Sequence, residues 1–296
     1  MAEAATRKVS VSRGRPGGSE LPGERDLLGR ARGENFSVAS LLLPRAMRTH
    51  LLAIYGYARL VDELGDAAAG DRLERLDALE AELHTVFGGG REPVHPLLAR
   101  LVPTVRALDL PPGPFLALIE ANRQDQVTSS YQSYDELLGY CALSANPVGE
   151  LVLHVFGVAT PERIVLSDAV CSALQLAEHW QDVAEDRACG RVYLPAEDMV
   201  RFGVREDDLD AARTGVALAR LIAFEVERAR ALLVGGAPLV GTLRGAARVA
   251  VAGYVGGGRA ALAAITASGC DVLAGPPQAP RRARIAETLR TYRRGA

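Results

Sequence analysis

Two pairs of aspartates, each pair four residues apart, are the residues of this sequence best suited to chemistry. One pair is Asp62 and Asp66, and the other is Asp182 and Asp186. Residues four apart lie one turn apart on the same face of a helix, where like charges repel. If two such helices faced each other across a cavity, a hard divalent cation would relieve the repulsion, and Mg²⁺ typically binds one or two carboxylates together with phosphate oxygens. The spacing therefore predicts a site for Mg²⁺ and a diphosphate.

Other polar residues extend the helix faces that carry the two aspartate pairs, and each extended face is called here a polar stripe. Tyr55 and Arg59 precede the first aspartate pair at helical intervals, and Gln175 and Glu178 precede Asp182 in the same way. Arg59 would bind the same phosphate as the metal, because guanidinium groups pair well with phosphate. A single aspartate pair of this kind is usually a solvated helix face. Two pairs on extended polar stripes weaken that interpretation, but spacing alone leaves both interpretations open.

The elements that must position these residues are predicted to be helices. Apolar residues recur three or four apart along most of the chain, and alternation with a period of two is nearly absent. The predicted helical stretches are 45–70, 71–87, 93–108, 113–130, 134–157, 161–188, 215–234, 238–268 and 280–293. Residues 1–30 are rich in glycine, proline and charge, which predicts a disordered N-terminal lead. We expect residues 31–296 to form a single all-α domain.

Composition excludes several classes of protein. The formal net charge of −2 does not favour a nucleic-acid partner. The four cysteines form no CxxC pair, which argues against a zinc site or a disulfide framework and fits a reducing compartment. The N-terminal residues lack the apolar segment of a secretory signal, and no uninterrupted apolar run reaches the length of a membrane-spanning helix. These features predict a cytoplasmic protein.

Four segments carry a resemblance to a known family. The segments "YARLVDELGD" and "LQLAEHWQDVAEDRACGRVYLP" resemble the two aspartate-rich motifs of the squalene and phytoene synthases, which are head-to-head prenyl synthases. The second motif, together with "ENFSVAS" and "SANPVGELVLHVFG", is most similar to the bacterial hydroxysqualene synthase branch. The resemblance implies an all-α isoprenoid-synthase bundle around a central cavity.

The resemblance also implies a reaction. A hydroxysqualene synthase ionises presqualene diphosphate with Mg²⁺, and rearrangement and water capture give hydroxysqualene and pyrophosphate in squalene and hopanoid biosynthesis. A presqualene diphosphate synthase and a flavin-dependent reductase would be its pathway partners. Two alternatives remain open. One is condensation of two prenyl diphosphates to presqualene diphosphate, squalene or phytoene, and the other is a non-catalytic helical binding or assembly protein.

Several residue roles follow from the resemblance. Both aspartate pairs match metal ligands of the family, and Arg59 matches a diphosphate ligand. Tyr55 and Gln175 match polar positions of the cavity. Arg191 and Tyr193 match a loop that approaches the diphosphate, and Phe36 matches an aromatic residue of a substrate flap.

Two further positions are assigned by the same comparison and by the chemistry. Tyr140, like Tyr55, presents an aromatic ring that could stabilise a carbocation, although packing alone also explains a helical tyrosine. Glu178 occupies a position that is commonly asparagine in the family. The extra negative charge leaves the number of bound Mg²⁺ ions open.

The stretch 280–293 is predicted to be an amphipathic helix. It is strongly arginine-rich, and Ile285, Leu289 and Tyr292 recur three or four residues apart. One interpretation is a terminal helix packed on the domain. The other is weak, salt-sensitive attraction to anionic lipid, with the protein peripheral at the inner face of the membrane.

Overall fold

The structure is a computed structural model that describes residues 43–66, 70–88 and 92–295. The predicted N-terminal lead and Phe36 lie outside the described residues. Within them the chain forms helices and no strand, which confirms the all-α prediction. Besides a short 3-10 helix at Glu206–Asp210, the α-helices in chain order are α1 Arg45–Asp66, α2 Arg72–Gly88, α3 Pro96–Leu108, α4 Gly113–Gln124, α5 Tyr134–Ser144, α6 Asn146–Val155, α7 Pro161–Gln181, α8 Val183–Ala188, α9 Ala196–Phe202, α10 Val216–Gly236, α11 Leu239–Thr242, α12 Gly245–Ala267 and α13 Arg281–Arg294.

Three of the predicted helices are broken in the structure: the stretch 238–268 divides between α11 and α12, and two others divide as follows. The stretch 134–157 divides at Ala145, between α5 and α6. Pro147 is at the start of α6, where its missing N–H costs no hydrogen bond within the helix. The stretch 161–188 divides at Asp182, between α7 and α8. Periodicity continues through both breaks, so hydrophobic spacing alone did not locate them.

Helix α7 lies at the centre of the bundle. It packs against α10, α6 and α12, and its residue Trp180 is fully buried. Glycines allow these neighbours to approach closely. A Cβ atom added at Gly236 would lie 2.6 Å from the carbonyl oxygen of Leu166, and one added at Gly149 would lie 2.5 Å from Cys171 Sγ. Packing on several sides leaves the polar stripe of α7 facing a cavity that is open to solvent.

Helix α12 is a core helix, although among the described residues it alone is long and apolar enough to span a membrane. Half of its most apolar window is buried by neighbouring helices. Gly256 lies against the backbone of Thr288 in α13, and Gly258 lies against Leu174 and Leu233. The glycine-rich segment of α12 therefore serves close helix packing.

Candidate active site

The end of α1 carries Asp62 and is held in place by α4. The side chain of Asn122 in α4 packs directly over Gly65, where any Cβ atom would collide with it. Gln126 Nε2 donates hydrogen bonds to the carbonyl oxygens of Gly65, at 3.0 Å, and of Asn122, at 2.9 Å. These contacts bind the last turn of α1, whose carbonyl groups lack partners within the helix, to α4.

The second aspartate pair straddles a helix break. Asp182 ends α7 with φ −104° and ψ 17°, and its backbone N–H donates to the carbonyl oxygen of Glu178 at 3.0 Å. The N–H of Asp186 in turn donates to the carbonyl oxygen of Asp182 at 2.8 Å. The predicted continuous helix through this pair is therefore wrong, but the one-turn separation is kept. Burial, together with Glu185 and Asp186, raises the pKa of Asp182 to about 6.

The loop after α8 brings Arg191 and Tyr193 to the same place. Gly190 has φ +79°, a left-handed conformation that favours glycine, and turns the chain out of α8. The N–H of Val192 then donates to the carbonyl oxygen of Ser129 at 2.8 Å, which ties the loop to the segment that follows α4. The chain thus places Arg191 and Tyr193 beside the end of α4.

These elements enclose one cavity of about 330 Å³. Its lining contains most of the residues that the sequence predicted for the site: Asp62, Tyr140, Gln175, Glu178, Asp182, Asp186, Arg191 and Tyr193. The remaining lining residues were not predicted: Leu118, Ala121, Asn122, Asp125, Ser144 and His179. Aliphatic side chains are a minority of this lining, so the cavity suits a charged group and a reacting centre better than long hydrocarbon tails.

Four predicted residues are not among those that line the cavity. Tyr55 is buried, with 8% of its surface exposed, and is absent from the lining residues. Arg59 lies near the cavity, with its guanidinium 3.9 Å from the carboxylate of Asp62. Phe36 and the side chain of Asp66 lie outside the described part of the structure.

Asp125, which the sequence did not single out, contacts the predicted residue Tyr140. The Tyr140 hydroxyl donates a hydrogen bond to Asp125 Oδ2 at 2.9 Å. Asp125 caps the end of α4 and has no acidic partner at helical spacing, so no pattern in the sequence marks it. Its carboxylate adds to the negative charge of the cavity from a third helix.

His179 is buried between the second aspartate pair and the loop. Its ring stacks on Tyr193 with centroids 3.7 Å apart, and its Nδ1 lies 3.8 Å from Asp186 Oδ2. Burial lowers the pKa of His179, although Asp186 opposes this change. No metal-binding spacing in the sequence includes this histidine, and its stacking on Tyr193 is a packing contact.

Three tyrosines form an aromatic wall next to this histidine. The ring centroids of Tyr131, Tyr140 and Tyr193 are 5.6 to 5.8 Å apart, and Tyr140 lies 6.2 Å from His179. Burial raises the pKa of Tyr193 to about 12, so its phenol stays neutral at ordinary pH. Neutral aromatic faces attract cations, so this wall can stabilise positive charge.

The cavity fits a hard cation that arrives with an anionic ligand. Among the residues that the structure describes, no group of three or more His, Cys, Asp or Glu side chains is arranged to hold a metal ion by itself. Mg²⁺ usually binds through one or two carboxylates plus phosphate oxygens and water, so a complete cage is not required. Asp62, Glu178, Asp182 and Asp186 line the cavity from both sides and would be the oxygen ligands of a cation held in this way. The raised pKa of Asp182 reflects burial and a repulsion that a bound cation would relieve.

Comparison with known proteins identifies relatives over most of the chain. The family model for squalene/phytoene synthase matches residues 30–286. A hydroxysqualene synthase from Rhodopseudomonas palustris is 35% identical over 72% of each chain, and a phytoene synthase from Arthrospira platensis is 33% identical over 67% of this chain and 68% of its own.

Solved structures give the same result. The squalene synthase HpnC from Alicyclobacillus acidocaldarius is 43% identical, with a TM-score of 0.78 over 86% of this chain and 95% of its own. A dehydrosqualene synthase superposes with a TM-score of 0.82 over 92% of this chain and 95% of its own, and at 21% identity it supports the fold alone.

Proposed function

The chain belongs to the squalene/phytoene synthase family, and on that premise we propose that it converts presqualene diphosphate and water into hydroxysqualene and pyrophosphate. Membership makes it a prenyl diphosphate-dependent synthase. The hydroxysqualene synthases of Rhodopseudomonas palustris and Sinorhizobium fredii, 35% and 34% identical, support the narrower reaction. The phytoene synthase relatives make condensation of two prenyl diphosphates the second candidate.

The convergence of carboxylates from separate helices on one cavity gives the strongest support for diphosphate chemistry. Asp62 comes from α1, whereas Glu178, Asp182 and Asp186 come from the α7–α8 junction. Such a concentration of negative charge is unfavourable alone and becomes favourable with divalent cations. These four residues would hold Mg²⁺, which when bound supplies positive charge to a leaving diphosphate.

Two arginines would bind the diphosphate directly. Arg191 lines the cavity, and Arg59 lies beside Asp62 at 3.9 Å. Guanidinium groups form paired hydrogen bonds with phosphate oxygens, so both residues can orient the leaving group and compensate its growing charge. Breaking the C–O bond leaves an electron pair on the diphosphate and a carbocation on the substrate carbon.

The aromatic wall can stabilise that cation. Tyr140 and Tyr193 line the cavity and Tyr131 packs behind them, with ring faces that attract positive charge without acting as nucleophiles. Asp125 accepts a hydrogen bond from the Tyr140 hydroxyl and so holds that ring in position. Water that adds to the rearranged cation loses a proton and leaves an alcohol.

Product analysis with two substrates tests the proposal. The purified chain is incubated with Mg²⁺ and either presqualene diphosphate or farnesyl diphosphate, without a nicotinamide reductant, and both pyrophosphate and the extracted lipid are measured. We expect hydroxysqualene from presqualene diphosphate. The variant Asp182→Asn is the control for contaminating activity, because it removes one carboxylate from the cavity.

Other outcomes would contradict the proposal in different ways. Presqualene diphosphate formed from farnesyl diphosphate, with presqualene diphosphate itself left unreacted, would establish the condensing reaction instead, as would phytoene formed in a parallel incubation with geranylgeranyl diphosphate, the longer homologue. Squalene itself would require an added nicotinamide reductant. No Mg²⁺-dependent pyrophosphate from any of these substrates would favour the non-catalytic alternative.

A further inference from the structure

We propose that the outward face of α13 is a docking surface for an anionic lipid bilayer. The face consists of the apolar side chains of Ile285, Leu289 and Tyr292, flanked by arginines, and is called here the α13 outer face. The binding is independent of the proposed reaction and can be measured without substrate.

The inward side of α13 uses small and polar residues rather than its apolar ones. Thr291 is fully buried, and the backbone of Thr288 lies directly against Gly256 of α12. Arg259 Nη1 donates to Thr291 Oγ1 at 2.9 Å, and Arg248 Nη2 donates to the carbonyl oxygen of Tyr292 at 2.8 Å. These contacts from α12 fix the orientation of α13 about its own axis.

That orientation leaves the apolar residues on the outside. Ile285 is 49% exposed, Leu289 50% and Tyr292 39%. At about 100° per residue, the three side chains fall within about 60° of the helix circumference. The amphipathic pattern predicted from the sequence is therefore present, and its apolar side chains are about half exposed. The Tyr292 ring also packs against the guanidinium of Arg248 in α12, 4.8 Å from the ring centroid, at the edge of this face.

Arginines border this stripe on both sides. The helix contains six arginines and one glutamate, and all six arginines are exposed. By helical geometry Arg282 and Arg293 lie on one side of the stripe and Arg281 on the other. Glu287 forms an ion pair with Arg290 at 2.5 Å, which leaves the positive charge in excess. Since the whole chain has a net charge of −2, this charge is concentrated locally.

A bilayer matches both properties of the outer face at once. Apolar side chains in the plane of an interface insert below the headgroups, while flanking basic groups stay at the level of anionic phosphates. An acidic protein would match the arginines but would not require three exposed apolar side chains in one narrow stripe. The combination therefore points to lipid.

Vesicle sedimentation of the full chain tests the proposal. Vesicles of phosphatidylcholine alone are compared with vesicles that contain about one third phosphatidylglycerol, at salt concentrations from about 0.05 to 0.5 M. We expect binding to the anionic vesicles at low salt, at least about tenfold weaker at high salt because charges are then screened. Two variants probe the face: Ile285→Gln with Leu289→Gln, and Arg282→Glu with Arg293→Glu.

Each variant should bind at least about tenfold more weakly than the original chain. For the arginine variant the reason is charge, since one basic residue near an anionic surface contributes about fivefold to binding. For the glutamine variant the reason is the loss of apolar side chains that insert below the headgroups. Truncation at Pro280 would be a poor test, because it would uncover the glycine-rich face of α12. Matched controls are Val200→Gln with Val216→Gln, and Arg106→Glu with Arg220→Glu, all at exposed positions outside α13. Circular dichroism checks that each variant keeps its helices.

The controls should bind as the original chain does. Equal binding of the α13 variants and the original chain would overturn the proposal, as would equal binding to neutral and anionic vesicles. No vesicle binding, combined with salt-sensitive binding to polyglutamate, would also overturn it and would favour an acidic protein partner.

Discussion

Replacing Glu225 by glutamine should flatten the dependence of stability on pH between about 4.5 and 8. Glu225 lies in α10 with none of its surface exposed. Its Oε1 is 3.4 Å from Arg228 Nη1, but the same guanidinium atom lies 2.6 Å from Oδ2 of Asp198, which is also buried. One arginine therefore faces two buried carboxyl groups.

The pKa of Glu225 gives the size of the expected effect. Burial, opposed by Arg228 and reinforced by Asp198, raises this pKa from 4.5 to about 8. At 1.36 kcal/mol per pKa unit the difference corresponds to at most about 5 kcal/mol. Below pH 4.5 the carboxyl is protonated in both states. As pH rises, the unfolded state ionises first, so stability falls by about 1.4 kcal/mol per pH unit and levels off near pH 8.

Glutamine keeps the shape of the protonated carboxyl and stays neutral at every pH of the assay. The assay is the thermal unfolding midpoint of both proteins at pH 5, 6, 7 and 8. For a chain of this size the unfolding midpoint shifts by about 2–4 °C for each kcal/mol of stability. From pH 5 to pH 8 the midpoint of the original chain should therefore fall by about 10 °C more than the midpoint of the variant.

Glu227→Gln is the matched control, because Glu227 lies on the same helix with an exposed side chain that pairs with Arg230. Its midpoints should follow those of the original chain. Parallel midpoint curves for the original chain and Glu225→Gln would refute the reasoning. So would a large loss of stability in Glu225→Gln at pH 5, which would mean that Glu225 is ionised and paired with Arg228.

The remaining predictions concern the cavity. Asp182→Asn should lower turnover by at least about 100-fold, because it removes charge that would hold the metal. The unfolding midpoint of this variant should stay equal or rise, because repulsion between carboxylates is relieved. Near-normal turnover at limiting Mg²⁺ would contradict the assignment of Asp182 as a metal ligand. Glu178→Asn should keep activity but raise the Mg²⁺ concentration for half-maximal rate by about three- to tenfold, since ligand charge tunes affinity; an unchanged Mg²⁺ titration would exclude contact with the metal. Gly65→Ala should cost about 1–3 kcal/mol of stability by collision with Asn122, measured by unfolding beside Gly139→Ala, which has open space around the added methyl; equal effects at the two glycines would contradict the packing of α1 on α4.

The sequence determined the class of fold and much of the cavity, because both depend on local periodicity. Asp62, Glu178 and Asp182 stand on polar stripes that recur at helical intervals, and such stripes tell which side chains share a face. A helix face is a local property, set by residues only a few positions apart. The grouping of several carboxylates on one helix face therefore follows from the order of the residues alone, whereas spacing by itself left open whether that face binds a cation or is solvated.

Only the tertiary structure decided which faces meet. Asp125 lies in the cavity because α4 packs on the end of α1, and because Asp125 accepts a hydrogen bond from the Tyr140 hydroxyl of α5. Neither contact leaves a local pattern in the sequence. Glu225 looks like an ordinary helical glutamate until packing buries it beside Asp198. These properties depend on residues far apart in the chain.

Helix α13 shows the same limit most clearly. Periodicity identified its apolar stripe correctly, and the natural expectation for a helix packed on the domain is that this stripe faces inward. The structure instead leaves the stripe about half exposed, because the available partner is the glycine-rich surface of α12, where Gly256 admits a close approach of backbone and small side chains such as Thr288 and Thr291. The partner surface, and not the helix itself, decided which side was buried.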